Sequence, residues 1–302
     1  MIRYSVIIPH KNIPNLLQRC LDSIPERDDI QIIIVDDNSD TSIVDFNHFP
    51  GWNRRNVEFL FTKEGKGAGY ARNVGLKRAK GKWLLFADAD DFYTNNAWDI
   101  FDKYLDENYD IIYFSVRCVD SDTLNPASRN LKNNIVIDAF LRKEKNSEVR
   151  LRYTCWEPWN KIWNKEFVER NNLRFEEIPK GNDAFFVLSG GDKACRIKAL
   201  NESLYVVTFR PQSISYSITK ENLKSSLLLK IRINKFYKSK NLNTLRQSVL
   251  YDIKQAYVTF GYKFALYSLW LVIKNRGDLL IFLGDIKGWK RLIKRNLYEC
   301  KS

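Results

Sequence analysis

The chain has 302 residues, of which 44% are hydrophobic, 14% aromatic and 28% charged. That is enough apolar material for one large α/β domain or two modest ones, and too much for wholesale disorder. Its net charge of +13 is uneven: residues 1–219 hold 31 Lys+Arg against 31 Asp+Glu, and residues 220–302 hold 18 against 5. A neutral body with a basic tail predicts that the tail meets something anionic, be it nucleic acid, a phospholipid surface or an acidic substrate. Five scattered cysteines without a C-x-x-C pair, and only His10 and His48, argue against a zinc site or a disulfide frame and for a reducing cytoplasm. The N-terminus enters a β-type run directly, with no basic stretch or small-residue cleavage site, so no secretory signal is read. The longest uncharged apolar run, Phe264 to Ile273, has ten residues. That is about half of the roughly 20 a membrane-spanning helix needs, and no transmembrane anchor is expected.

In chain order, Ser5-Val6-Ile7-Ile8 reads as a strand stopped by Pro9, and Leu16, Leu17, Cys20, Leu21 and Ile24 follow at helical spacing. Gln31 to Val35, with three consecutive isoleucines before a valine, predicts a strand covered on both faces and ends at Asp36-Asp37-Asn38-Ser39-Asp40. Val57 to Phe61 is a third strand, followed by a turn with Gly65, Gly67 and Gly69 and a helix over Tyr70 to Ala79. Lys82 to Ala87 is a fourth, ending at Asp88-Ala89-Asp90-Asp91, and Asp110 to Ser115 a fifth, after a helix near Ala97 to Asn108. This alternation predicts a mostly parallel sheet flanked by helices, with ligand-binding loops at the strands' carboxyl ends. Residues 120–146 turn polar without a clear period and read as an excursion or a flexible segment. Leu173 to Phe175, Gly181 to Phe186 and Ser203 to Val207 close the body.

Three carboxylates in four residues, Asp88, Asp90 and Asp91, repel one another unless a cation or basic side chains compensate. Hard oxygen ligands suit Mg²⁺ or Mn²⁺ on a diphosphate; a solvated turn carrying a helix N-cap is the plainer alternative. Asp36 and Asp37 end another strand on the same expected edge, where an Asx turn is also possible. Lys66, Gly67 and Arg72 lie on a third loop, where close backbone approach and cations can cradle phosphates. No Rossmann fingerprint or P-loop is present.

The order of these pieces is more specific than any one. Ser5-Val6-Ile7-Ile8-Pro9, Ile33-Ile34-Val35-Asp36-Asp37-Asn38-Ser39, Gly69-Tyr70-Ala71-Arg72-Asn73-Val74-Gly75 and Phe86-Ala87-Asp88-Ala89-Asp90-Asp91 together resemble the family-2 inverting glycosyltransferases. The resemblance implies an A-type nucleotide-sugar transferase fold, a divalent cation and sugar transfer from a nucleoside diphosphate. It places a nucleotide-sugar half over about 1–115 and an acceptor half over about 116–219. By position it assigns Pro9, Lys11 and Asp37 to the base and ribose pocket, Asp88 to the ribose and diphosphate, and Asp90 and Asp91 to the metal. Trp159-Asn160-Lys161 resembles the acceptor-side segment, although Trp159 and Trp163 also have the i, i+4 spacing of core packing on a helix. Gly181-Asn182-Asp183 falls at the catalytic acidic pair, with Asn182 where a glutamate usually stands, leaving Asp183 as the expected general base; a helix N-terminal charge is its plain alternative.

In the region 220–302, expected to be helical, Ile286, Trp289, Leu292, Ile293 and Leu297 share one face amid Lys287, Lys290, Arg291, Lys294 and Arg295. This is a basic amphipathic helix, suited to an anionic membrane surface or to a core. No nucleic-acid motif accompanies the charge, and no nucleic-acid partner is expected. The reading at this level is a metal-dependent inverting transferase, peripheral on the inner face of the cell membrane, acting on a glycan or lipid-linked glycan. A sugar-phosphate nucleotidyltransferase, or a nucleic-acid or membrane-surface binding protein with a degenerate transferase body, is the alternative.

Overall fold

The computed structural model describes residues 1–104, 107–127, 131–210 and 219–277. The chain divides into two compact units, Met1–Ser213 and Ile214–Ser302. In the first unit the strands are β1 (Tyr4–His10), β2 (Ile30–Asp37), β3 (Val57–Thr62), β4 (Trp83–Phe86), β5 (Phe92–Tyr93), β6 (Ile111–Asp120), β7 (Lys161–Asn164) and β8 (Ile197–Phe209). They form one sheet in the order β3-β2-β1-β4-β7-β6-β8-β5. β1 pairs in parallel with β2 (Tyr4 opposite Ile30, His10 opposite Asp36) and with β4, and β2 in parallel with β3. β7 runs antiparallel to β4 and β6, β8 is parallel to β6, and β5 is antiparallel to β8. The sheet is thus mixed but mostly parallel, as expected, and the carboxyl ends of β1, β2, β3, β4, β6 and β8 share one edge.

Period-2 alternation sends the two faces of each strand into separate cores. Val6, Ile8, Ile32, Ile34 and Leu85 pack with Leu17, Cys20 and Leu21 of α1 (Pro14–Asp22) and with Trp98 and Phe101 of α3 (Ala97–Asp102). Ile7, Ile33, Val35, Leu84 and Phe86 pack with Ala71 of α2 (Ala68–Leu76), Val136 and Ile137 of α4 (Leu131–Leu141), Leu151 of α5 (Ser147–Thr154), Phe167 of α6 (Lys165–Arg170), and Phe186 and Val187 of α7 (Ala184–Lys193). All eight residues of β2 are buried, as its β-branched run requires.

The structure corrects several expectations. Pro9 lies inside β1 rather than ending it. The Ile7 carbonyl accepts from Ala87 on the β4 side, so the Pro9 nitrogen two residues on points the same way, past the last β1–β4 pair at Ile7 and Phe86, where no ladder partner is needed. The stretch read as an excursion or flexible segment contains α4, in which a buried Asn133 and exposed Ile135 and Leu141 blur the period. Asn134 bonds both the N–H (3.0 Å) and the C=O (2.8 Å) of Val116, beyond the end of the β6–β7 pairing. Trp159 and Trp163 are not on a helix: Trp163 is in β7, Trp159 precedes it, and each belongs to a different core.

The second unit contains α8 (Lys220–Ser239), α9 (Leu250–Phe260) and α10 (Tyr262–Lys274). Leu227, Ile231, Val249, Leu271 and Val272 form its core, with Ile253 packed against them. Asn234 exchanges two hydrogen bonds with the Gln247 backbone, and Lys230 pairs with the buried Asp252. No helix among the described residues is long and apolar enough to cross a membrane. The stripe Ile286–Leu297 lies outside the described residues.

Candidate active site

The shared sheet edge is built by four loops. After β1 and β2, Asn12 and Asn38 take left-handed backbone, which asparagine tolerates best among residues with a Cβ. The two loops are stitched by Asn12 N–H to Ser39 Oγ (2.9 Å) and Asp40 N–H to Asn12 Oδ1 (2.7 Å). Asp36 is interior: its Oδ2 meets His10 Nδ1 at 2.7 Å and accepts from Ser39 Oγ at 2.6 Å. Because Ile13 N–H donates to His10 Nε2, His10 carries its proton on Nδ1 and gives it to Asp36. Burial raises the Asp36 carboxyl, but the His10 and Ser39 hydrogen bonds outweigh it and hold it below its ordinary value. Asp36 therefore sets the loop's shape. Asp37, also buried, accepts from the N–H of Gly67 at 2.7 Å, tying the end of β2 to the start of α2, with Lys11 Nζ at 3.9 Å. Gly67 has φ of 90°, a conformation that favours glycine. Lys66 lies over the Tyr70 ring.

Asp88, Asp90 and Asp91 follow β4, and one carboxylate oxygen from each lies within 4.8 Å of the other two. They can hold a divalent cation. Each also has a protein partner. Asp88 accepts from Arg72 at 2.5 Å, Asp90 pairs with Arg210 at 2.7 Å, and Asp91, 3% exposed, accepts from the Thr208 N–H at 2.7 Å. Arg19 of α1 donates to the Asp90 carbonyl and to Ser121 beyond β6. The Asp88 N–H donates to the Tyr205 hydroxyl, and Tyr205 stacks on Trp159 with centroids 5.5 Å apart. Trp159 thus supports the Asp88 turn from beneath.

Asp183 precedes α7, and its side chain does not cap that helix. Burial pushes its carboxyl up to about 6, opposed by Arg72 and reinforced by Glu157 and Asp88. Its place is fixed by α2. Asn73 makes two 2.9 Å bonds with the Phe175 backbone, Arg72 donates to Asn182 Oδ1 at 2.9 Å, and Glu176 N–H closes on the Asn182 carbonyl. Arg72 is 5% exposed and lies over Phe175, so one guanidinium joins the Asp88 turn to the Asp183 loop. Lys161 and Asn160 are fully buried; Lys161 Nζ donates to the Glu157 carbonyl and to Asn160 Oδ1 and lies over Tyr113. Burial pushes its amine down to about 8, against the pull of Cys155, Glu157 and Asp183.

The structure thus brings Asp37, Gly67, Arg72, Asp88, Asp90, Asp91 and Asp183 to the carboxyl edge, with Pro9 and Lys11 at the end of β1, and places Trp159, Asn160 and Lys161 behind it. Sequence reasoning did not find Arg19, Tyr205, Thr208 or Arg210. Only Arg210 carried a signal, a cation just past a strand end.

The family described as "Glycosyl transferase family 2" matches residues 5–202. The uncharacterized glycosyltransferase EpsJ of Bacillus subtilis is 27% identical over 215 residues, covering 70% of this chain and 62% of EpsJ. The poly(ribitol-phosphate) beta-N-acetylglucosaminyltransferase TarS of Staphylococcus aureus is 26% identical over 217 residues, covering 68% of this chain and 35% of TarS. The crystal structure of S. aureus TarS 1–349 in complex with UDP-GlcNAc superposes with a TM-score of 0.57 at 22% identity, covering 76% of this chain and 67% of that one, and shows the same fold. The chain therefore spans less than two thirds of the length of these curated relatives. With the family's sequence pattern running from the first strand into the last long one, the chain belongs to glycosyl transferase family 2.

Proposed function

We propose that this chain transfers a sugar, with inversion, from a nucleoside-diphosphate donor to a hydroxyl of a glycan or lipid-linked glycan in the assembly of a bacterial surface polysaccharide. The observation that carries this reading is the Arg72 bridge, which bonds Asp88 on one side and Asn182, the neighbour of Asp183, on the other. A carboxylate cluster for a diphosphate and a carboxylate raised toward neutrality are thereby set on one sheet edge.

In this reading Pro9, Lys11 and Asp37 receive the nucleoside, and Lys66 and the Gly67 turn lie toward the phosphates. Asp183 takes the proton of the attacking hydroxyl, a task suited to a base whose pKa stands near the working pH. Arg72 acts through Asp88 and Asn182. Lys161 lies behind the base, and with Trp159 and Asn160 it shapes the acceptor side from within. Asp88, Asp90 and Asp91 are hard oxygen donors close enough to share Mg²⁺ or Mn²⁺, which when bound would offset the charge of the leaving diphosphate. Arg210 supplies a fixed positive charge beside the same cluster. The printed names of TarS and of the minor teichoic acid biosynthesis protein GgaB of B. subtilis, 28% identical over 197 residues, support a cell-surface polymer as the acceptor class. The basic second unit supports a place on an anionic membrane, on the cytoplasmic side where nucleotide sugars are made.

Incubation with a panel of nucleotide sugars tests the reading. Release of nucleoside diphosphate, abolished by excess chelator, is expected; release of pyrophosphate would mean nucleotidyl transfer, and no turnover with any donor would leave a binding protein.

A further inference from the structure

We infer that α10 lies flat in the headgroup region of a membrane containing anionic phospholipid, with its outer face embedded; this deepens the membrane reading above and rests on it. α10 has two apolar stripes. Ser268, Leu271 and Val272 face the unit's own core, while Tyr262, Leu266, Trp270 and Ile273, at steps of four, four and three residues, are 62%, 61%, 48% and 57% exposed. Spacing of this kind puts the four on one side of the helix. Tyr267 stacks on Trp270, and Lys274 lies over the Trp270 ring at 4.6 Å, so the aromatic surface is continuous and edged by cations. The neighbouring α9 also exposes Tyr257 and Val258, 59% and 71%, beside the exposed Lys254.

Among the described residues the core takes only the other side of α10 and leaves this stripe outside it. The surroundings select the occupant: residues 219–277 contain 12 Lys+Arg and 2 Asp+Glu. A face of Tyr, Trp, Leu and Ile edged by Lys matches the water-to-hydrocarbon gradient at a bilayer surface, with rings at headgroup depth and ammonium groups on lipid phosphates. At 13 residues, about 20 Å, α10 is too short to cross but long enough to float in the interface.

The test is sedimentation of the full chain with phosphatidylcholine vesicles, with and without phosphatidylglycerol, at low and high salt. It compares the parent with Leu266→Ser/Trp270→Ser and with Lys263→Glu/Lys274→Glu. The parent should bind the anionic vesicles and weaken with salt. The serine variant should bind about tenfold or more weakly, with circular dichroism and vesicle-free donor hydrolysis unchanged, and the glutamate variant should lose most of the salt dependence. A parent that binds while the serine variant binds equally well would place the contact elsewhere and overturn the inference about α10 alone. A parent that binds no vesicle would overturn the membrane reading itself. If the parent self-associates without lipid and the serine variant does not, the face is an interface between copies and the inference fails.

Discussion

In the proposed reaction Asp183 is the base, a task for which its surroundings suit it. Burial raises it to about 6, so it is still charged at neutral pH yet basic enough to accept a hydroxyl proton. Transfer should rise with pH through about 6, because only the ionised form accepts a proton, and a profile flat between pH 5 and 8 would remove Asp183 from the role. Asp183→Asn should lower transfer by roughly 10² or more with donor binding nearly intact, and Glu176 or Glu177 would be the next candidate if it did not. The sign for stability is opposite. A folded pKa above the unfolded value near 3.8 means that the native state binds the proton more tightly, so stability falls as pH rises through that window and the penalty is complete above about 6. Asp183→Asn should therefore melt no lower than the parent at pH 8. At this scale the acidic residues were legible because they stand in clusters directly after apolar strand runs, although Asp36, in one of those clusters, serves the loop's own shape. Their partners were not: Arg210 lies 120 residues from Asp90, Tyr205 lies 117 from Asp88, and no local pattern ties such pairs.

Helix α2 is the element that joins the sheet edge to the Asp183 loop in the proposed site. On one side a Cβ at Gly75 would meet Ile7 Cγ2 of β1 at 2.5 Å; on the other a Cβ at Gly69 would meet the Glu176 carbonyl oxygen at 2.0 Å and Asn182 Cβ at 2.9 Å. The helix is therefore held against both the strand and the Asp183 loop. Glycine to alanine in a helix ordinarily gains up to about 1 kcal/mol, so net destabilisation at either position reports the overlap. Both Gly69→Ala and Gly75→Ala should lose about 1–3 kcal/mol in denaturant melts, but they should separate in activity. Gly69→Ala displaces the loop carrying Asp183 and should lose transfer per folded molecule, whereas Gly75→Ala presses on the core and should keep it. Equal activity loss in both would deny α2 this positioning role. The strands around this helix were readable from β-branched runs ending in polar loops. α4 was not, since Asn133 is buried and Ile135 exposed, the reverse of what the pattern relies on, and Asn134 completes the backbone hydrogen bonding of β6.

At the scale of the molecule, charge and core divide at the same place. Residues 1–213 carry 31 basic and 31 acidic side chains, and both large cores draw their buried residues from 4–207; the third core draws its own from 227–272. A sheet of eight strands covered on both faces has the buried apolar surface to fold independently, while the described part of the second unit, helices around a few buried residues, has little margin. A fragment of residues 1–213 should therefore unfold in one cooperative transition and keep chelator-sensitive hydrolysis of the donor within a few-fold of the full chain, because every residue proposed for that chemistry lies within it. It should also lose binding to anionic vesicles, having neither the excess charge nor α10. Calorimetry, donor hydrolysis and sedimentation on the same preparation check the three parts together. A fragment that aggregates or melts without cooperativity would show that the first unit depends on the basic unit for its stability, and one that still sediments with anionic vesicles would move the membrane contact onto the first unit itself.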